Sequence, residues 1–238
     1  MTLPAEKRDA RLMRRMFGTI ACRYDFVTRI FSYGMDRRWK RGGVDRLALP
    51  ENAAVLDLAA GTGDFSRLVL ERFPGAHAVA VDLTEPMLRR ARGRGIRDVL
   101  CGDATTLPLA SESFDCVLVG YGLRNFPDLA ASLREIERVM RPGGWLVTLD
   151  FFLPANWLFR WCYLGYLYAQ GAVWGLLLHG RARTYTYIPA SLRTFVSIKE
   201  LSTLLARAGY QQIEARSFIF GGIGMHWALR RSAPAAAD

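Results

Sequence analysis

From Ala53 to Phe152 short apolar runs alternate with helix-patterned segments, and this alternation constrains the fold more than any other feature. "AAVLDLA" (53–59) precedes "DFSRLVLERF" (64–73), and "AHAVAVDL" (76–83) precedes "EPMLRRARG" (85–93). "DVLCGD" (98–103) and "FDCVLVGY" (114–121) follow, then "DLAASLREIERVM" (128–140) and "GGWLVTLDFF" (143–152). Unbroken apolar strands separated by helices imply a parallel sheet covered on both faces. "RPGG" (141–144) reads as a turn between helix and strand. "SIKELSTLLARAGY" (197–210) is an amphipathic helix. "QQIEARSFIF" (211–220) and "IGMHWALRR" (223–231) are expected to add an antiparallel edge. The predicted fold class is α/β, a doubly wound, mostly parallel sheet of seven strands.

A chain of 238 residues fits one decorated domain. We divide it into an N-terminal helical lid (1–50), a cofactor-binding core (51–153), an apolar insertion (154–196), and a final helix with closing strands (197–231). Residues 5–47 carry apolar positions at helical spacing, including Met13, Phe17, Ile20, Tyr24, Val27 and Phe31. The stretch 161–178, "WCYLGYLYAQGAVWGLLL", has no charge. Its three glycines, three tyrosines and glutamine argue against a membrane span. A lid over an apolar ligand, an interfacial helix, or a helical pair packed on the sheet all fit it.

The formal charge of +10 is uneven. Residues 1–50 hold 12 Lys and Arg against 5 Asp and Glu, residues 51–180 hold 12 against 14, and residues 181–238 hold 8 against 3. Basic flanks suit an anionic membrane, a nucleic acid, an acidic substrate, or simple solubility. A net acidic middle argues against nucleic acid at the site. The four cysteines show no metal-ligand spacing and read as reduced thiols of a cytoplasmic protein. The N-terminus lacks the apolar run of a signal peptide.

The strongest chemical signal is "VLDLAAGTGDFS" (55–66), a buried strand, a glycine-rich loop and a helix start. Gly61 and Gly63 let backbone approach a ligand. Asp82 ends the next strand, 21 residues beyond Gly61, where a carboxylate accepts from both ribose hydroxyls. Asp103 follows the third strand, near where an adenine amino group lies. Each aspartate alone is equally compatible with a helix cap or turn; three at successive strand ends point to a nucleoside. The loop lacks the Lys-Ser/Thr of a phosphate cradle, and Asp64 repels a pyrophosphate. A cationic cofactor without phosphates, S-adenosylmethionine, fits best, with Asp57 and Asp64 near its charged end.

"VLDLAAGTGD", "VDLTEPML" and "GDATTLPLASESFD" resemble the class I methyltransferase series. "GYGLRNFPD" (120–128) resembles the F-G-[LI]-R-N signature of the ubiquinone/menaquinone biosynthesis C-methyltransferases. "MFGTIACRYDFVTRIFSYGMDRRWKR" (16–41) and "YTYIPASLRTF" (185–195) resemble that family's flanking signatures, so the resemblance spans about residues 13–229. It implies a Rossmann-like fold and methyl transfer from S-adenosylmethionine to a ring carbon of a polyprenyl quinol. Cofactor contacts are then expected from Asp57, Ala59, Gly61, Thr62, Gly63, Asp64, Asp82, Leu83, Asp103, Ala104 and Gly120. Arg124, Asn125, Tyr24 and Asp150 are the expected catalytic group. Arg124 stabilises a phenolate, Asn125 bonds the second ring oxygen or the donor, and Tyr24 contacts from the lid. The proton goes to an ordered water or to Asp150.

No metal is implied. A polyprenyl acceptor suggests peripheral association with the inner face of the membrane, and a homodimer stays open. An O- or N-methyltransferase, an RNA methyltransferase and a non-catalytic binding protein are the other readings. "GGIGMH" (221–226) is one residue shorter than the family's ending, so no role passes to His226. "YIPASL" and "TFVSIKE" also depart from the family pattern, which leaves benzoquinol and naphthoquinol acceptors both open.

Overall fold

The computed structural model describes residues 10–232. The first described helices are α1 (Ala10–Ile20), α2 (Tyr24–Phe31) and α3 (Asp36–Asp45), with a 3-10 turn at Ala21–Arg23. The helical stretch read over 5–47 is therefore three helices; its residues 5–9 lie outside the described residues. Met13, Ile20, Val27 and Phe31 are buried at the expected spacing.

The core runs β1 (Ala54–Leu58), α4 (Asp64–Arg72), β2 (His77–Asp82), α5 (Glu85–Gly93), β3 (Asp98–Cys101) and β4 (Phe114–Gly120). A 3-10 turn (Leu123–Asn125), α6 (Leu129–Val139) and β5 (Met140–Phe151) follow. The chain closes with α7 (Trp157–His179), α8 (Arg183–Leu192), α9 (Ile198–Arg207), β6 (Tyr210–Phe218) and β7 (Ile223–Arg230). The sheet order is β3-β2-β1-β4-β5-β7-β6. β1 to β5 pair in parallel, with Leu56 beside Val79 on one side and Val117 on the other. β7 pairs antiparallel with both β5 and β6, as the sequence predicted.

Helices cover both faces because the central strands have no polar face to turn outward. On one face, Phe65 and Val69 of α4 pack with Phe31, Trp39, Leu167 and Tyr185. On the other, Leu133 and Ile136 of α6 and Leu201 and Leu205 of α9 pack on Leu56 and Val117. Asp128 caps α6, its carboxylate accepting from the Ala131 N–H at 2.9 Å. Ser197 and Glu200 form a reciprocal capping box on α9.

The turn expected at "RPGG" is a bulge inside β5: Phe114 pairs Met140, and the next pair is Cys116 with Trp145. Gly143 there holds φ +76°, and Arg141 is tied to Asp115 at 2.6 Å. Proline needs no ladder N–H at a bulge, so the strand continues past it.

The uncharged stretch 161–178 lies within α7, which pairs closely with α8. A Cβ on Gly175 falls 2.6 Å from the Arg181 carbonyl oxygen, so only glycine permits this approach. Tyr163, Leu167, Gly171 and Gly175 form the buried edge of α7. Among the described residues no helix is long and apolar enough to cross a membrane. His226 is fully buried, bonded to the Ile198 carbonyl at 3.1 Å.

Candidate active site

β1 neighbours both β2 and β4, so the chain reverses direction across the sheet at this pair. Ligands in such sheets bind beyond the carboxyl ends of the strands at that point. A cleft opens there. Its floor comes from the ends of β1, β2 and β4, and Met13, Phe17 and Tyr24 roof it. Ala59 and Tyr121, just beyond β1 and β4, hold φ +55° and +59°. Left-handed backbone at non-glycine residues costs on the order of 1 kcal/mol each and concentrates at functional sites.

Asp82 organises the cleft. One carboxylate oxygen accepts from the Gly61 N–H at 2.9 Å and the other from the Thr84 N–H at 2.8 Å. A carboxylate has about four acceptor positions, so Asp82 can take a further donor. Burial raises the Asp82 pKa, and the two N–H donors oppose that rise. One oxygen of Asp103 accepts from the Thr105 N–H and hydroxyl at 2.8 and 2.7 Å. Leu83, Met87, Ala104 and Phe126 supply apolar walls for a flat base.

Of the residues expected to hold the cofactor, Ala59, Gly61, Asp82, Leu83, Asp103, Ala104 and Gly120 line this cleft. Asp57, Thr62, Gly63 and Asp64 do not, and each has a structural task. Asp57 accepts from the Ser66 N–H and hydroxyl at 2.9 and 2.7 Å, anchoring α4 to β1; burial pushes its carboxyl up to about 6. Gly63 precedes α4 at φ +78°, and a Cβ there meets Ile96 at 3.0 Å and Ala91 at 3.2 Å. Thr62 donates to Asp25 at 2.6 Å. Asp64 turns away from the cleft into a charge network.

That network joins lid to core. Lys40 of α3 lies 2.8 Å from Asp36 and 3.0 Å from Asp64. Arg94 pairs with Asp64 at 3.1 Å, bonds the Thr62 hydroxyl at 3.0 Å, and pairs with Asp25 of α2. Burial works against the Asp64 charge, but Lys40 and Arg94 hold its pKa below the usual carboxylate value. Burial likewise disfavours the Lys40 charge, and Asp64 and Asp36 outweigh it.

Arg124 and Asp150 form a buried ion pair. The Arg124 guanidinium donates to Asp150 at 2.6 Å and to the Tyr121 carbonyl at 2.8 Å. Asp150 also accepts the Phe151 and Arg124 backbone N–H groups at 2.8 and 3.1 Å. Arg124 stacks 5.1 Å above the Phe151 ring, and the Tyr187 phenol sits beside it. Arg124 is only 4 % exposed and does not itself line the cleft; Tyr24, Tyr121, Gly122 and Asn125 do.

Three buried polar atoms here lack a partner among the described residues: the Tyr121 hydroxyl, the Asn125 Oδ1 and the Arg124 Nε. A native fold leaves few such atoms, and a cleft ligand that pairs with the Tyr121 hydroxyl or the Asn125 Oδ1 offsets a desolvation penalty of about 1–3 kcal/mol each. Lys40, Tyr121, Tyr187 and Arg94 were not singled out from the sequence. Tyr121 stands one residue past Gly120 in the quoted signature, so its place was legible. The partners of Lys40 and Arg94 lie on separate elements, and no local pattern marks them.

The arrangement fits S-adenosylmethionine. A ribose meets the Asp82 carboxylate, a base meets apolar walls, and the loop after β1 lacks the Lys-Ser/Thr of a phosphate cradle. Fold and site together define a class I S-adenosylmethionine-dependent methyltransferase. The fold is shared by a S-adenosylmethionine-dependent methyltransferase of Thermotoga maritima, titled a possible histamine N-methyltransferase. That match has TM-score 0.64 and 21% identity, covering 91% of this chain and 99% of that one. It is shared too by Haemonchus contortus phosphoethanolamine N-methyltransferase 2, solved with S-adenosyl-L-methionine. Here the TM-score is 0.64 at 15% identity, over 82% of this chain and 53% of that one.

The sequence model of the ubiE/COQ5 methyltransferase family matches residues 4–230, and the chain belongs to that family. The demethylmenaquinone methyltransferase of Thermus thermophilus is 38% identical over 216 residues, 89% of this chain and 98% of that protein. The ubiquinone/menaquinone biosynthesis C-methyltransferase UbiE of Paracoccus denitrificans is 34% identical, over 94% of each.

Proposed function

We propose that this enzyme methylates a ring carbon of a polyprenyl quinol, demethylmenaquinol or a related benzoquinol, in menaquinone or ubiquinone biosynthesis. The names of its relatives support the acceptor class. The observation that carries the chemistry is the cluster of Tyr24, Tyr121 and Asn125 on the cleft wall, backed by the buried Arg124–Asp150 pair.

The cofactor, when bound, supplies an electrophilic methyl on a sulfonium. A ring carbon attacks it only once a neighbouring hydroxyl loses its proton, and that hydroxyl has a pKa near about 10, as in tyrosine. Tyr24 and Asn125 hydrogen-bond the two ring oxygens. Burial raises the Tyr24 pKa and keeps it a neutral donor, while the nearby Lys40 and Arg124 strengthen that donation.

Asp150, occupied by three donors, acts as counter-ion to Arg124 in this reading; water takes the hydroxyl proton, and after methyl transfer the methylated carbon loses its ring hydrogen while the oxygen is reprotonated, so one proton is released per turnover. Arg124 is thus a positioning residue: its charge is balanced, and its fixed dipole acts through Tyr24 and Tyr187. The roof of Met13, Phe17 and Tyr24 excludes bulk water and holds acceptor and donor together. A polyprenyl tail keeps the acceptor in the bilayer, so the enzyme works at the inner face of a membrane.

Purified protein with S-adenosylmethionine and a short-tailed demethylmenaquinol tests the reading by mass fragmentation of the product. A methyl on ring carbon supports it. A methyl on oxygen, or no product, refutes it.

A further inference from the structure

Tyr24 and Asp25 begin α2, and they meet Gly61 and Thr62 of the loop after β1 in matching order. A Cβ on Gly61 would stand 3.4 Å from Cε1 of Tyr24, so the tyrosine ring lies on the backbone of that loop. The next residue on each side makes a polar contact: the Thr62 hydroxyl donates to Asp25 at 2.6 Å. Arg94, at the C-cap of α5, donates to the same Thr62 oxygen at 3.0 Å and also to Asp25. The Gly61 N–H is held meanwhile by Asp82, the carboxylate that suits a ribose. One loop therefore touches both the nucleoside carboxylate and the lid tyrosine.

The lid is tied down unequally. α3 is fixed by Lys40, whose side chain is 6 % exposed between Asp36 and Asp64, and by Trp227, whose indole N–H donates to the Gly43 carbonyl at 3.0 Å. The Asp25 and Arg94 side chains are 33 and 28 % exposed, so water and salt reach that pair. A pair of this kind adds little to global stability and opens without global unfolding. The Thr62 hydroxyl beneath it is buried and bonds both partners, which closes the three side chains into one network.

We infer that Asp25, Thr62 and Arg94 form a clasp that seats Tyr24 on the cofactor loop and opens each time the cofactor is exchanged. Met13, Phe17 and Tyr24 roof the cleft that Asp82 and Asp103 line, so a nucleoside held there departs as the roof lifts. None of the three clasp residues lines the cleft, and they act as positioning residues. Their effect on methyl transfer rests on the acceptor contact proposed for Tyr24; their effect on cofactor exchange does not.

The test is a chase. The full chain, loaded with tritiated S-adenosylmethionine, is mixed with excess unlabelled cofactor and no acceptor, and release is timed at about 0.05 and about 0.5 M sodium chloride. Wild-type release is expected to quicken severalfold with salt. Arg94→Gln and Asp25→Asn should release about three- to tenfold faster at low salt and respond little to salt. Asp64 keeps Lys40 when Arg94 is lost, so no acid is stranded. The double variant should be no faster than the quicker single, because both remove one interaction. Thr62→Val, close in shape, should also release faster, and Thr62→Ser should restore the wild-type rate. In single turnover on a short-tailed quinol, Arg94→Gln, Asp25→Asn and Thr62→Val should transfer methyl about three- to tenfold more slowly.

Release from Arg94→Gln and Thr62→Val at the wild-type rate overturns the inference. So do additive acceleration in the double variant, wild-type release indifferent to salt, and a Thr62→Ser variant that releases as fast as Thr62→Val. Faster release with undiminished single-turnover transfer keeps the clasp as a latch on exchange and removes Tyr24 from the acceptor.

Discussion

Arg124 and Asp150 can be separated into structure and chemistry by removing them one at a time and together. Arg124→Met leaves the Asp150 carboxylate, 1 % exposed, without its cation. Removing one partner of a buried pair costs about 3–5 kcal/mol. For a protein of this size each kcal/mol lowers the melting temperature by about 2–4 °C, so the single variant should melt roughly 6–20 °C lower. Arg124→Met/Asp150→Asn removes both charges, and an amide oxygen still accepts the Phe151 or Arg124 backbone N–H. Such paired replacement is often close to neutral, so the double variant should recover most of the loss.

Turnover should not recover. Without the guanidinium behind Tyr24 we expect a rate about 10²-fold lower, the low end for deleting an electrostatic donor, with cofactor affinity nearly unchanged. Differential scanning calorimetry, cofactor titration and quinol turnover on the four proteins of the cycle decide the matter. A double variant with wild-type turnover refutes the role given to Arg124. A single variant that melts with the wild type refutes the importance of the pair.

Asp82→Ala deletes the acceptor of two backbone N–H groups and of the ribose, and calorimetric titration should show cofactor affinity reduced about 10–100-fold; unchanged affinity removes Asp82 from the site. Gly63→Ala forces a side chain into φ +78° against Ile96 and Ala91, and should lower stability by about 1–3 kcal/mol in urea denaturation. Burial raises the folded pKa of Asp57 from 3.8 to about 6. Its contribution is therefore full below about pH 4 and is lost as pH rises through 6, on the order of 3 kcal/mol across that window. Asp57→Asn should accordingly gain stability relative to wild type as pH rises from 4 to 7; a difference that stays flat with pH contradicts the assignment.

Much of the fold was legible because each core strand is an unbroken apolar run, and such runs have one stable placement between helices. "RPGG" misled because proline and glycine mark turns and bulges alike, and the choice depends on what β4 does alongside. At the site, backbone geometry was readable: Gly61, Asp82 and Asp103 follow strand ends, and strand ends face the cleft. Side-chain destinations were not. Asp64 faces Lys40 and Arg94, 24 and 30 residues away, and Asp57 turns to Ser66. Arg124 was expected to face the cleft and is instead held behind its wall, because Asp150 arrives 26 residues later on a neighbouring strand.

The roof over the cleft is made by helices that precede the sheet in the chain, while the floor is finished only when Pro127 has been added. The nucleoside can therefore occupy only a chain that has completed its core and folded its beginning back across it. During biosynthesis the cofactor acts as a selective ligand of finished molecules. At a hundred times its dissociation constant it stabilises them by about 2.7 kcal/mol over every partly folded form.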